Sequence, residues 1–226
     1  MNAKLIRKKH ESSNIWTYFF EKNTTLDYQA GQFIELSINL SKSSQDLGKR
    51  WFTLSSSPSE DYLSITTRIT DENLSDYKKA LSDYKIGSAV NISQAMGDFV
   101  LPKSKVIPLV FVAAGIGITP FRSMVKYLVD EKQLRSITLI HIVKNRSDLV
   151  FDDIFTNYVG CSYHPIVSDN KEFSINSVID LSAEQKAYVY ISGPEEVVET
   201  IRDQIVSRGY PEQNTVCDYF PGYPIN

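Results

Sequence analysis

The feature that most narrows the possible folds is an apolar run, Val106–Ala113, that leads into Ala114-Gly115-Ile116-Gly117-Ile118-Thr119-Pro120. A run without alternation suits a strand covered on both faces, as the strands of parallel sheets are. The glycines permit a tight turn and a close backbone approach to a ligand. Pro120 suits the first turn of a helix, and a helix N-terminus attracts anions. The same residues also fit a plain tight turn between strand and helix. The run is too short for a membrane span, which needs ~20 apolar residues.

Further strand and helix signals follow. A helix is expected over Pro120–Asp130, a buried strand over Ile137–Val143 and a helical turn over Ile154–Tyr158. Strands are then expected at Pro165–Val167, Ala187–Ile191 and Val216–Phe220, with a helix over Glu195–Arg208. Alternating β and α implies a parallel sheet with helices on both faces. The preceding hundred residues read differently. Short strand-like runs (Ile15–Phe20, Phe33–Ile38, Trp51–Leu54, Tyr62–Ile69, Ala89–Ser93) are separated by turn signals. One helix opens at Ser75-Asp76-Tyr77, with Tyr77, Leu81 and Tyr84 on one face. This pattern predicts a small closed barrel. The fold class is therefore α+β with two domains: an antiparallel β-barrel over 1–104, then an α/β parallel-sheet domain over 105–226. Ser41–Ser44 reads as an exposed loop.

A formal net charge of −3 leaves no basic footprint for nucleic acid. The basic start, Lys4 to His10, reads as a solvated first strand. No apolar leader is visible, so a cytoplasmic location is expected. Cys161 and Cys217 form no C-x-x-C pair, and an iron–sulfur centre needs about four thiolates. His10, His141 and His164 are scattered, and no metal site is expected.

Three constellations carry chemistry. In Arg50-Trp51-Phe52-Thr53 an arginine fork suits a phosphate, an aromatic ring suits a planar ligand, and a hydroxyl suits its polar edge. Alone, that stretch also fits a strand with core aromatics. The second is the Gly115–Pro120 turn. The third is Ile191-Ser192-Gly193-Pro194-Glu195-Glu196, again a strand, a turn and a helix start. In a parallel sheet both turns lie at the C-terminal edge, where they can face one dinucleotide.

In chain order the motifs are Gly31-Gln32-Phe33, Arg50-x-Phe52-Thr53-x-x-Ser56, Gly97-Asp98-Phe99, Gly115-x-Gly117-x-Thr119-Pro120, Ser192-Gly193-Pro194 and Asp218-Tyr219-Phe220. This series resembles the ferredoxin–NADP reductase family nearly end to end. The resemblance implies that Arg50 binds a flavin phosphate and that Phe52 packs on the flavin ring, in place of the usual tyrosine. Thr53 stands for the serine near flavin N5, and Trp51 lies beside the ring or packs elsewhere. Thr67, Arg68 and Ile69 match the next strand along the flavin. Ser75 resembles the pyrophosphate contact at a helix start, with Glu72 where a glycine is usual. Gly115, Gly117, Thr119, Pro120, Gly193 and Pro194 match the nicotinamide-nucleotide turns. Asn145 and Arg146 match positions near the adenosine ribose. Ser192 takes the position of a cysteine beside the nicotinamide, and Phe220 that of the C-terminal aromatic over the flavin, followed by the tail Pro221–Asn226.

The resemblance implies hydride transfer between NAD(P)H and a flavin. The cofactors supply the chemistry and the protein supplies geometry and electrostatics. Thr53, Ser192 and Phe220 are the implied catalytic positions, and Asp218 is a candidate proton relay. The Ser75 segment points to FAD, while NADPH and NADH both stay open. The acceptor is a separate ferredoxin- or flavodoxin-type protein, or a small molecule. The competing reading is a non-catalytic flavin-binding subunit or regulatory module of a larger complex.

Overall fold

The computed structural model describes residues 1–220 except 13, 23–24, 42–43, 45, 71–73, 169–179 and 181–185. Glu72, the tail Pro221–Asn226 and part of the Ser41–Ser44 loop lie outside the described residues.

The N-terminal half contains β1 (Asn2–Ser12), β2 (Ile15–Glu21), β3 (Phe33–Ser37), β4 (Lys49–Thr53), β5 (Tyr62–Arg68), α1 (Asp76–Asp83) and β6 (Ala89–Ile92). The strands form one antiparallel sheet in the order β4-β3-β6-β1-β2-β5. The basic β1 is a strand, as its charge pattern suggests: Ala3 and Leu5 turn inward while Lys4 and Arg7 face solvent. The sheet curls until its end strands meet, but the ladder does not close. Leu54, just past β4, makes an isolated bridge to Ile65 of β5. The expected closed barrel is therefore a barrel-like curled sheet. Its core unites Leu5, Phe20, Ile34, Leu36, Leu54 and Ile65 with Tyr77 and Leu81 from α1. Ser75 caps α1, its Oγ accepting from the Lys78 amide at 3.3 Å, and so satisfies a helical N–H that would otherwise lack a partner.

The second half contains β7 (Leu109–Ala114), α2 (Ile118–Asp130), β8 (Ile137–Val143), α3 (Asp152–Asn157), β9 (Cys161–Val167), β10 (Tyr188–Pro194), α4 (Glu195–Ser207) and β11 (Thr215–Phe220). Its sheet is parallel throughout, in the order β11-β10-β7-β8-β9. Every residue of the central β7 is buried. Leu109, Phe111 and Ala113 pack with Phe121, Met124 and Leu128 of α2. Val110 and Val112 pack with Val198, Ile201 and Ile205 of α4 on the other face. Each such large side chain contributes about 1.5–3 kcal/mol of transfer free energy. β7 starts three residues later than the apolar run because Val106 stays exposed and Pro108 has no amide to donate. β9 starts earlier than Pro165 and accommodates that proline because it is an edge strand.

The two halves are joined by buried polar contacts. Arg122 of α2 forms a forked ion pair with Glu60, one arm at 2.8 Å, and donates to the Ser55 carbonyl at 2.9 Å. Ser123 Oγ donates to the Ser56 carbonyl at 2.6 Å. Phe99 packs between Phe121 and Tyr190, with ring centroids 5.7 and 5.2 Å away. Among the described residues, no helix is long and apolar enough to cross a membrane.

Candidate active site

Chain segments far apart in sequence converge where the C-terminal edge of the parallel sheet meets β4. A small cavity of about 80 Å³ is lined by Phe33, Trp51, Phe52, Thr53, Asp218, Tyr219 and Phe220. Strand alternation places consecutive β4 residues on different faces. Phe52 leans towards Tyr77 of α1, with ring centroids 6.0 Å apart, while Trp51 keeps 55% of its surface exposed beside Phe33. A large exposed indole at the mouth of an aromatic cavity is suited to a flat ligand.

The polar wall of this cavity is a hydrogen-bonded cluster. Register pairs Ser192 with Asp218 across β10 and β11. Ser192 Oγ donates to Asp218 Oδ2 at 3.1 Å, and Thr53 of the first sheet also hydrogen-bonds the Asp218 carboxylate. Burial pushes Asp218 up to about 6, against the lowering effect of these two hydroxyls. Thr53 and Ser192 are themselves buried. A carboxyl that titrates near neutrality inside an aromatic cavity is suited to holding or releasing a proton.

The two glycine turns meet as their chemistry requires. Gly115–Gly117 forms a single 3₁₀ turn that runs directly into α2, so the helix begins before Pro120. A Cβ on Gly117 would lie 2.1 Å from the Ser192 carbonyl oxygen, and one on Gly193 would lie 2.7 Å from the Ala114 Cβ. Only glycine lets these turns touch. Thr119 donates to the Ile116 carbonyl at 3.2 Å, and Pro120 is buried against the core. Pro194 is exposed at the end of β10.

The residues expected on the phosphate side include a second cluster around Arg50. Arg50 presents both terminal nitrogens to Asp46, at 2.9 and 2.5 Å. Its guanidinium lies 5.0 Å from the Tyr77 ring centroid. Ser75 heads α1 beside it. Thr67 and Ile69 are buried on and just after β5. Arg68 is engaged elsewhere: it donates to Asn14 at 3.1 Å and contacts Asp148 at 3.4 Å. Asn145 and Arg146 are exposed beyond β8, at the turn that holds Asp148. The Asp148 Oδ2 atom is buried without a protein donor.

Sequence reasoning missed Asp46 and assigned no role to His141. His141 is fully buried; its Nε2 faces the Gly115 carbonyl at 3.0 Å and its Nδ1 the Tyr163 hydroxyl at 3.2 Å. Tyr163 in turn donates to Asp152 at 2.8 Å. Burial lowers the His141 pKa, although the Gly115 contact acts the other way. The residue thus holds the glycine turn from below, a role that only the β7–β8 pairing reveals. Cys217 behaves as a packing residue, its thiol pushed up to about 11 by burial. Among the described residues no cluster of His, Cys, Asp and Glu could hold a metal. A larger cleft of about 460 Å³, lined by Phe19, Tyr62, Arg122 and Phe151 among others, shares no residue with the aromatic cavity.

Comparison with known proteins places this geometry in a class. The chain has the two-domain fold of the ferredoxin–NADP reductases. It superposes on ferredoxin–NADP+ reductase from Plasmodium falciparum with a TM-score of 0.82, at 17% identity, over 97% of this chain and 95% of that one. It matches the flavohem-like FAD/NAD-binding domain of nitric oxide dioxygenase from Vibrio cholerae at 0.79 and 17% identity, over 98% of both chains. Residues 111–203 match the oxidoreductase NAD-binding domain family. A relative in sequence is flavohemoprotein A of Dictyostelium discoideum, 28% identical over 95% of this chain and 58% of its own length. The chain thus spans little more than half of that relative. These comparisons agree on a two-domain fold shared with the ferredoxin–NADP reductases and on an oxidoreductase NAD-binding domain match over residues 111–203.

Proposed function

We propose that this chain is an FAD-dependent NAD(P)H oxidoreductase, with the flavin held by residues 1–104 and the nicotinamide nucleotide by residues 105–226. The observation that carries the reading is the convergence of Thr53, Asp218 and Phe220 on one aromatic cavity, with Ser192 hydrogen-bonded to Asp218, beside two touching glycine turns.

The residues fit the cofactors. The seat formed by Arg50 and the first turn of α1 already holds an oxyanion, the carboxylate of Asp46. Its donors are those a flavin phosphate needs. Phe52, Trp51 and Phe220 supply aromatic surface for the flavin ring, and Ser75, Thr67 and Ile69 line the approach. Gly115, Gly117, Thr119, Gly193 and Pro194 form the seat for the nicotinamide nucleotide, with Asn145 and Arg146 on its ribose side. Bound FAD supplies the capacity to take a hydride from a nicotinamide and release electrons onward.

The protein's own contribution is positional and protonic. Thr53 and Ser192 orient the Asp218 carboxyl, which holds a proton at Oδ1 or Oδ2 below about pH 6 and gives it up above. Phe220 lines the cavity and would cover a bound flavin ring and exclude water. Holding two reactants at about 3–3.5 Å supplies about 7–11 kcal/mol of barrier reduction. The acceptor is a separate ferredoxin- or flavodoxin-type protein or a small molecule. The test is anaerobic stopped-flow absorbance of the flavin-loaded protein mixed separately with NADPH and NADH. Fast bleaching with one of them supports the reading and identifies the nucleotide. No bleaching with either rules it out and leaves a flavin-binding subunit.

A further inference from the structure

We propose that Asp46 is an internal competitor for the phosphate seat of the flavin site, and that displacing it sets the affinity for the cofactor. The proposal rests on the flavin reading above.

The carboxylate is bound by more than Arg50. Asp46 Oδ1 also accepts the Gly48 amide at 3.0 Å, and the carboxylate accepts the Tyr77 amide in the first turn of α1. Burial works against its charge, yet Arg50 and these two amides hold its pKa below the ordinary carboxylate range. The side chains of Asp46 and Arg50 are 11% and 12% exposed. An arginine fork plus an amide at a helix N-terminus is the donor set that recognises a phosphate. The chain has turned that set onto its own aspartate, so an incoming phosphate must take Arg50 and the Tyr77 amide away from it.

The described side-chain contacts of Asp46 are all polar. Its neighbour Leu47 is 86% exposed and anchors in no core. The other tether is polar: the Asp46 amide donates to Ser44 Oγ at 3.1 Å, and that hydroxyl donates to Asp76 at 2.8 Å. A seat closed in about nine molecules of ten lowers apparent affinity about tenfold. The cost falls only on ligands that carry a phosphate.

Riboflavin therefore serves as the internal control. FAD, FMN and riboflavin are titrated into the full chain, its D46N variant and its D46S variant by flavin-fluorescence quenching, with thermal melts for each. Asparagine retains an acceptor for the Gly48 and Tyr77 amides and removes the charge that holds Arg50. The expected result is about tenfold tighter FAD and FMN binding in both variants, with riboflavin unchanged. Unchanged or weaker FAD binding overturns the proposal and makes Asp46 an organiser of Arg50. So does a riboflavin gain equal to that of FAD. Hydrogen exchange on the unaltered chain gives a second readout. FAD should deprotect the Gly48 amide while the Tyr77 amide stays protected; a Gly48 amide that stays protected also overturns it. If neither the parent nor the variants bind any flavin, the flavin reading itself fails, a distinct outcome that removes the proposal with it.

Discussion

Replacing Gly117 with alanine sets two physical effects against each other and predicts the sign of the result. Gly117 has φ −58° and ψ −5°, ordinary right-handed helical values. By helix propensity alone, alanine there stabilises by up to about 1 kcal/mol. The surroundings reverse this. The new Cβ would lie 2.1 Å from the Ser192 carbonyl oxygen, 2.5 Å from its carbon and 2.8 Å from the Gly193 nitrogen. All three are backbone atoms of β10, so no side chain can swing aside. Relief requires the two turns to separate by about 1 Å, and overpacking of this kind costs about 1–3 kcal/mol. A displacement of that size at a hydride-transfer site costs about 100-fold in rate. Gly115→Ala is the comparison: Gly115 has φ +55° with open space around its Cβ position, so only backbone handedness is penalised. That penalty is about 1–2 kcal/mol. Urea denaturation gives the stabilities, and single-turnover flavin reduction by the preferred nucleotide gives the rates. G117A should lose stability and most of its rate. A G117A protein with the parent's urea midpoint and reduction rate would refute the claim that contact between the two turns aligns the site.

Two pH-dependent predictions follow from the buried titratable groups. Asp218, raised from 3.8 to about 6, binds its proton more tightly folded than unfolded, so its favourable contribution is complete below 3.8 and is lost as pH rises through about 6. Asp218→Asn should therefore stabilise the protein at pH 8 by ~1–3 kcal/mol, an advantage that vanishes near pH 4 in denaturation curves. It should also remove the inflection near 6 from the pH profile of flavin reduction; an inflection that survives would exclude Asp218 as its source. His141 acts with the opposite sign. Its lowered pKa means that the unfolded chain binds the proton first, so stability falls as pH drops below the ordinary value of 6.5. His141→Gln should flatten that limb of a melting-temperature profile between pH 7 and 5, and an unaltered slope would show that His141 does not produce it.

Much of the second domain was legible because its signals are local. The apolar run, the glycine turn and the helix beyond it occupy consecutive residues, and Ile137–Val143 is a strand at the expected bounds. The edge strand β9 was the weak point: its residues are mostly half-buried or exposed, so no apolar pattern marked its start before Pro165. The closed barrel was overdrawn because strand count does not determine whether the last pair completes its ladder. The site was legible only through the resemblance. Periodicity around Thr53 is that of a strand with core aromatics, and no local rule ties it to Asp218 at the far end of the chain. Asp46 was missed for the same reason. Its importance comes from Tyr77 and Arg50, which a turn and a helix bring to it.

Thr53 belongs to the first sheet and Ser192 and Asp218 to the second, so the proton-holding cluster exists only while the domains are docked. Domains within one chain are expected to move relative to each other unless their interface is large and apolar. Here the contact is fastened otherwise. The Arg122–Glu60 pair is buried, with Arg122 also bonded to the Ser55 carbonyl and Ser123 to the Ser56 carbonyl. Separating the domains would exchange these bonds for water all at once, and a hydrogen bond to a charged group is worth about 1.5–3 kcal/mol net. Ser55 and Ser56 lie immediately downstream of Thr53, so the same short segment carries both the Thr53 hydroxyl and the acceptors that hold α2. The position of Thr53 against Asp218 is therefore set by the interface before any ligand arrives. Asp46 and the C-terminal aromatic strand lie outside that lock, with Leu47 86% and Tyr219 43% exposed beside them.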